Sequence, residues 1–187
     1  MKKHLLKLIT LASIVVLASC GGGDNGSSVA PAASSFWTMD AYSYQDGGYS
    51  ATSTSVIGTS PITVAVVSTA TLDGGDTANG AFSGSSISFS FVGTTAGIYQ
   101  VVPSKTALVT ADPTTLPIVV ESTVGVAVTT GSTLYTASSG QVKVSVDSAG
   151  KFHFDSVGSL PTAKTLDVRG GVAGAHGSMS LTIHDAY

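Results

Sequence analysis

The sequence is poor in cysteine, in charged residues and in good helix formers. Its 187 residues include one cysteine, and only 10% of them are Asp, Glu, Lys or Arg. A single cysteine excludes an internal disulfide framework and every zinc or iron–sulfur site that needs two or more thiolates. The formal charge of −3 does not favour a protein that neutralises phosphates, so we expect no nucleic-acid partner.

Small residues and apolar residues dominate what is present. The chain holds 28 Ser, 23 Thr and 22 Gly, yet 43% of its residues are hydrophobic and the mean hydropathy is +0.38. Disordered chains combine low hydrophobicity with high net charge, and this chain has neither. The length and the composition therefore predict one packed domain.

The first twenty residues have the pattern of an export signal. Residues 1–7 contain three lysines, and residues 8–18 form an apolar run that is too short to span a membrane. The run ends in Leu17-Ala18-Ser19-Cys20, which resembles the lipobox of bacterial lipoproteins. The resemblance implies cleavage before Cys20, a diacylglyceryl group on its sulfur and a third acyl chain on the new amino terminus. Several acyl chains hold a protein on a bilayer far more firmly than one.

The same resemblance gives an expected location. In lipoproteins of two-membrane bacteria, Asp after the lipidated cysteine suggests retention in the inner membrane, and Gly21 here favours the outer membrane. The side of that membrane is left open. Residues 20–35 carry the lipidated cysteine and a flexible Gly/Ser-rich tether. We therefore divide the chain into a signal peptide (1–19), a tether (20–35) and a single β domain (36–187), and the mature chain carries a charge of −6.

The β domain is indicated by apolar residues that alternate with polar ones. This two-residue period predicts nine to eleven short strands, each with one buried face. Turn signals separate the strands, as expected of an antiparallel β-sandwich of immunoglobulin-like or jelly-roll-like type, and a small closed β-barrel is the alternative. The alternating sets are Ile62, Val64, Val66; Ile87, Phe89, Phe91; Val124, Val126, Val128; Val142, Val144, Val146; and Met179, Leu181, Ile183, and the turn signals include Asp46-Gly47-Gly48, Asp73-Gly74-Gly75, Ser148-Ala149-Gly150 and Gly170-Gly171.

One hairpin can be predicted to the residue. If Val146 opposes Phe152 and Val144 opposes Phe154, both apolar pairs face inward and a three-residue loop remains. Gly150 can then take the left-handed conformation that such a loop requires. The same register pairs Asp147 with Lys151, Lys143 with Asp155 and Ser145 with His153 on the outer face. It predicts that His153 is an exposed strand residue.

Catalytic patterns are weak in this sequence. There is no Gly-x-Ser-x-Gly nucleophile elbow, and two of the three histidines in the β domain, His153 and His184, are at outward strand positions. His176 is in a loop next to Gly177 and Ser178, but neighbours in sequence do not form a dyad. We therefore expect a protein that is not an enzyme and uses no cofactor.

One oxygen-rich loop is a candidate cation site. Asp73, Asp76 and Asn79 provide three side-chain ligands, whereas calcium takes six to eight oxygens. Their spacing matches no EF-hand loop or glycine-rich calcium repeat. A polar hairpin loop is the favoured interpretation.

Three tyrosines form a candidate ligand-binding surface. Alternation places Trp37 and Met39 on one face, with Tyr42 and Tyr44 on the other, and a turn at residues 46–48 would bring Tyr49 beside Tyr44. An exposed tyrosine patch can stack on sugar rings or contact a protein. A cross-strand aromatic pair that stiffens the sheet is the favoured alternative.

These observations lead to a functional expectation by elimination. We expect a membrane-anchored lipoprotein of the cell envelope whose β domain is a non-enzymatic binding or structural module. Its partner, an envelope protein or a glycan, is not identified. The alternatives are a carrier that holds a small apolar ligand inside a β-barrel, and a glycan-binding module that uses the exposed tyrosines.

Overall fold

The computed structural model describes residues 36–40, 42–57, 60–69, 85–126 and 131–187. In these residues the fold is all-β, as predicted, and it contains eleven strands, one α-helix and one 3-10 turn. The strands are β1 (Phe36–Met39), β2 (Tyr42–Ile57), β3 (Ser60–Thr69), β4 (Ser86–Val92), β5 (Gly97–Val101), β6 (Pro117–Val126), β7 (Gly131–Ala137), β8 (Gln141–Val146), β9 (Phe152–Ser156), β10 (Leu160–Val168) and β11 (Ser178–His184), with α1 at Lys105–Thr110 and the 3-10 turn at Pro113–Thr115.

The strands form one curled sheet. Eight of them pair in the order β4, β3, β2, β1, β11, β10, β7, β6, and every pair in this series is antiparallel. Strand β4 also pairs with β6, over Ser86–Phe91 and Ile118–Thr123. The hydrogen-bonded neighbours therefore form a closed circuit of eight strands.

Three further strands branch from this circuit. Strand β5 pairs with β6 in parallel, β8 pairs with β5, and β9 pairs with β8. The outer edge of β9 makes an isolated bridge from Phe154 to Ala186, just after β11. The end of the chain as described is thereby joined to the β8–β9 hairpin.

One large cluster of buried side chains forms the main core. Trp37 stacks on Tyr44 with ring centroids 5.5 Å apart, and Phe89 stacks on Phe154 at 3.8 Å. The second stack joins β4 to β9, and Phe91 packs edge-on against Phe152 in the same two strands. The largest fully buried side chains are Trp37, Tyr44, Tyr99, Tyr135, Phe89, Phe91, Phe154, Met39, Ile87, Leu108, Ile118 and Leu160.

The predicted hairpin is confirmed. Strands β8 and β9 pair Val146 with Phe152, Val144 with Phe154, Lys143 with Asp155 and Ser145 with His153. Gly150 has a φ of 80°, so it takes the left-handed conformation expected in the loop. Val144, Phe152 and Phe154 are buried, whereas Val146 at the end of the hairpin is 39% exposed.

Two local predictions are wrong. Residues 46–48 do not form a turn, because β2 runs through them and takes up the extra residue as a register shift between Asp46 and Gly48. In β3, the face buried in the core holds Thr63, Ala65 and Val67 rather than the predicted Ile62 set.

The short helix α1 was not expected from the sequence. Ser104 caps it, since its hydroxyl accepts a hydrogen bond from the Ala107 amide at 3.0 Å. Leu108 of α1 packs with Val92 and Val119 in a second, smaller cluster. The helix thus covers the face of β4 and β6 that points away from the main core.

Candidate functional site

The three tyrosines of the predicted binding surface do not share one exposed patch. Tyr44 is fully buried, and its cross-strand partner is Trp37, so both rings lie on the inner face. Burial raises the pKa of the Tyr44 phenol far above its usual value. Tyr44 faces inward because the chain turns at Asp40, which has a φ of 50°, and this turn resets the alternation between β1 and β2.

Tyr42 and Tyr49 are both partly buried. The Tyr49 hydroxyl accepts a hydrogen bond from the Phe152 amide at 3.0 Å. Desolvation raises the pKa of Tyr49, and the hydrogen bond partly offsets that effect. Cys20, Asp73, Asp76 and Asn79 lie outside the described residues.

Among the described residues, a set of polar side chains surrounds His153 on the outer face of β9. Its Nδ1 lies 2.9 Å from Oδ1 of Asp185, and its Nε2 lies 3.5 Å from Oδ2 of Asp147. Asp147 is in the β8–β9 loop, and Asp185 follows β11 directly. Only 18% of the His153 side chain is exposed, so the prediction that it is an exposed strand residue is wrong.

The Asp147 carboxylate is tied to its own loop. Its Oδ1 accepts hydrogen bonds from the amides of Lys151 (2.9 Å) and Ala149 (2.8 Å). These bonds, led by that of Lys151, lower the pKa of Asp147, and His153 adds to the effect. Oδ1 is thus used by the loop, whereas Oδ2 faces the histidine.

Asp185 is fixed by its backbone conformation, by a hydrogen bond to Asp155 and by its contact with His153. Its backbone has a φ of 45°, a left-handed conformation that Asp tolerates better than most residues. Its amide donates to Oδ1 of Asp155 at 2.9 Å, and its carboxylate faces His153. In the next residue, Ala186, the amide and the carbonyl both bond to the backbone of Phe154, at 2.9 and 3.0 Å.

Two tyrosine rings complete the cluster around Lys151. The Lys151 ammonium lies 4.2 Å from the ring centroid of Tyr187 and 4.7 Å from that of Tyr49. Tyr187 also packs on the imidazole of His153, with 4.4 Å between the centroids. Both contacts are within the range of favourable cation–π and ring interactions. We call Tyr49, Asp147, Lys151, His153, Asp185 and Tyr187 the His153 cluster.

The geometry limits what this cluster can do chemically. Both ring nitrogens of His153 face carboxylates, so neither is directed at a serine or another nucleophile. Ser145 is the cross-strand neighbour of His153, and the carboxylates are closer to the imidazole along both of its N–H directions. The groups hold each other in place, and this arrangement fastens residues 185–187 to the β8–β9 hairpin. Among the described residues, no group of three or more His, Cys, Asp or Glu could hold a metal ion.

A second polar feature is a depression of about 300 Å³ beside the β1–β2 turn. The Asp40 carboxylate lies in its wall and accepts a hydrogen bond from the Ser180 amide at 2.8 Å. The Thr162 hydroxyl donates to the Met179 carbonyl. These polar groups satisfy each other, as they do in the His153 cluster.

The sequence analysis placed Tyr49 in a candidate binding surface and His153 on the outer face of its strand, but it did not predict the contacts that distant segments make with them. Asp185 is 32 residues from His153, and Tyr49 is 103 residues from Phe152. One signal was available in Lys151, His153 and Asp155, because these alternate residues give β9 and the position before it an ionisable outer face that another charged segment can pair with. That partner, the His184-Asp185-Ala186-Tyr187 segment, carries complementary groups.

Comparisons with protein-family models, with curated proteins and with solved structures give no match. Within the described part of the chain, no helix has the length and apolar content that crossing a bilayer requires.

Proposed function

We propose that the chain is a lipid-anchored protein of the bacterial cell envelope, held on the outer membrane through Cys20. The observation that carries this proposal is the sequence Leu17-Ala18-Ser19-Cys20 at the end of a basic and then apolar leader. A Gly/Ser-rich tether of residues 21–35 would span roughly 20 Å on average, enough to hold a domain away from the headgroups. The charge of −6 on the mature chain disfavours direct adsorption to an anionic surface.

We further propose that the β domain is a closed β-barrel and a non-enzymatic binding or structural module. The circuit of eight paired strands supports a barrel rather than two separate sheets. Stacked rings such as Trp37 with Tyr44 and Phe89 with Phe154 fill the described interior. The interior of a barrel of about eight strands can be filled by its own side chains, which leaves the outer surface for contact with a partner.

One observation favours a ligand carrier as a second candidate. The indole Nε1 of Trp37 and the Oγ of Ser122 are buried and have no hydrogen-bond partner in the described part of the chain. Buried polar groups are normally satisfied, and a small bound molecule would supply the missing partner. The glycan-binding alternative is weakened by the burial of Tyr44, since a sugar would find only Tyr42 and Tyr49 partly accessible.

The anchor is tested by expressing the full chain and its Cys20→Ser variant in a two-membrane bacterium. We expect the native chain in the outer-membrane fraction, with a mass that exceeds the mature polypeptide by a diacylglyceryl group and one acyl chain. The variant should lose both the lipid mass and the membrane fractionation. Ser27→Ala, a matched change in the tether, should keep both. An unmodified Cys20 in the native chain would contradict the proposal.

A native mass spectrum of the purified protein separates the two candidate roles of the domain. A stoichiometric extra mass that disappears on denaturation would support the carrier. A mass that equals the lipidated chain alone would support the module that acts through its surface.

A further inference from the structure

The His153 cluster joins residues 185–187, which follow the last strand, to the β8–β9 hairpin. Ala186 is buried in the main core and its backbone bridges Phe154, and the Asp185 amide donates to Oδ1 of Asp155. The side chains of Asp185 and Tyr187 add contacts with His153 and Lys151 on the outer face.

A neutral imidazole cannot satisfy this arrangement. It carries one N–H donor, whereas an imidazolium carries two. His153 presents both ring nitrogens to carboxylates, at 2.9 Å and 3.5 Å. Loss of the proton therefore leaves a nitrogen lone pair directed at one of the two carboxylate oxygens, which is repulsive.

The charge balance around His153 acts in the same direction. The acidic groups that face it are Asp147 from the β8–β9 loop and Asp185 from the segment after β11, and Asp155 on β9 lies behind Asp185. The basic groups are Lys151 and Lys143, the cross-strand partner of Asp155, and His184 approaches Asp155 at 3.8 Å. When His153 is neutral, no positive charge lies between the Asp147 and Asp185 carboxylates that face its two ring nitrogens. When it is charged, the two carboxylates that would repel each other are bridged.

We propose that residues 185–187 form a protonation-dependent latch on the edge of β9. A charged His153 imidazole holds this latch closed, and a neutral imidazole weakens it. The Asp147 carboxylate does not set the transition, because the hydrogen bond from the Lys151 amide lowers its pKa and it stays ionised at neutral pH. Histidine is the side chain that changes charge between pH 5 and pH 8. The latch should therefore be closed on the acidic side of this interval and looser on the alkaline side.

Hydrogen exchange of the purified protein tests the latch directly. The amides of Phe154 and Ala186 make the two bonds of the bridge, and the Val101 amide, which bonds to Gly140, is a reference away from it. After correction for intrinsic rates, we expect the protection of Phe154 and Ala186 relative to Val101 to fall at least about tenfold from pH 5 to pH 8, as for one lost charge-assisted hydrogen bond. A ratio that does not change with pH would overturn the proposal.

Matched variants show whether His153 is the group that titrates. His153→Gln should abolish the pH dependence, whereas His184→Gln and His176→Gln should keep it. If His153→Gln fails to fold, Asp185→Asn provides the same test, because it keeps the shape and removes the charge that the imidazolium bridges. Persistence of the full pH dependence in Asp185→Asn, or its loss in His184→Gln, would refute the latch.

Discussion

Gly131 and Gly150 have the same backbone conformation in very different surroundings. Their φ angles are 82° and 80°, a region that costs an L-residue with a side chain about 1–2 kcal/mol. A Cβ on Gly131 would lie 2.7 Å from the Gly171 carbonyl oxygen and 3.1 Å from that of Val168. A Cβ on Gly150 would have nothing within 4 Å. Comparing alanine substitutions at Gly131 and Gly150 therefore separates the energetic cost of the left-handed conformation from that of steric crowding.

We therefore predict unequal effects of the same substitution. Gly150→Ala should lower the free energy of unfolding by about 1–2 kcal/mol through conformation alone. Gly131→Ala should lower it by about 1–3 kcal/mol more, because backbone carbonyls must move. Urea unfolding of both variants measures the difference. Equal losses would mean that the approach of Gly131 to the Val168 and Gly171 carbonyls relaxes without cost.

At the residue scale, the sequence predicted inward apolar residues better than it predicted polar partners. Trp37, Phe89 and Phe154 are buried as expected, because alternation within one strand is a local signal. The environment of His153 was missed, because alternation gives the direction of a side chain and says nothing of what another segment places there. Asp147 lies diagonally across the same hairpin, six residues away, whereas Asp185 becomes a neighbour only through tertiary structure.

At the scale of elements, alternation fails where both faces of a strand are apolar. The segment Val64-Ala65-Val66-Val67 has a two-residue period in either phase, so the sequence does not decide which face of β3 enters the core. The structure buries Ala65 and Val67, and Ile62 instead packs against the cluster under α1. Turn residues are equally ambiguous, since the glycines at 47 and 48 fit a bulge as well as a turn.

The pairing of β4 with β6 distinguishes a closed barrel from an open sheet, and cysteine pairs can test it. Ser86 and Thr123 are cross-strand partners, so their Cα atoms are at a distance that a disulfide can span. In a Cys20→Ser background, the double variant Ser86→Cys with Thr123→Cys should oxidise within one chain. It should then be more stable by about 2–4 kcal/mol.

A matched pair controls for chance encounters between the cysteines. Leu134 is the partner of Thr123 on β7, one strand further from Ser86. Two strand spacings, about 9–10 Å, exceed what a disulfide can bridge without backbone movement. Ser86→Cys with Leu134→Cys should therefore stay reduced. Equal oxidation of both pairs, or of neither, would contradict the closed circuit.

For the molecule as a whole, charge is scarce, and the aspartates with lowered pKa values are spread along the chain. The pKa of Asp112 is lowered chiefly by the Thr114 hydroxyl, that of Asp147 by the Lys151 amide, and that of Asp167 by the Thr133 hydroxyl. Each carboxylate fixes a different connection: the 3-10 turn, the β8–β9 loop, and the pairing of β10 with β7. The sequence showed these acids at turns and strand ends, but not the donors that they bind.

These aspartates predict how stability depends on pH. A carboxyl group whose folded pKa is lower than its unfolded value of about 3.9 stabilises the fold above that value, because the unfolded chain binds protons more readily. Its contribution is fully present at neutral pH and is lost as the pH falls through the lowered folded pKa. The urea midpoint should therefore decline below about pH 4. This global decline is separate from the local loosening expected at the β9 edge between pH 5 and pH 8.

The triple variant Asp112→Asn, Asp147→Asn, Asp167→Asn isolates the contribution of these groups. Asparagine keeps the shape and an acceptor oxygen but cannot titrate, so the variant should be less stable than the native protein at pH 7 and should lose less on acidification. The two stability curves should converge below about pH 3, where the native carboxylates are becoming protonated. Parallel curves over the whole range would mean that the hydrogen bonds from Thr114, Lys151 and Thr133 contribute equally to the neutral and the charged forms, and that acid unfolding begins elsewhere in the chain.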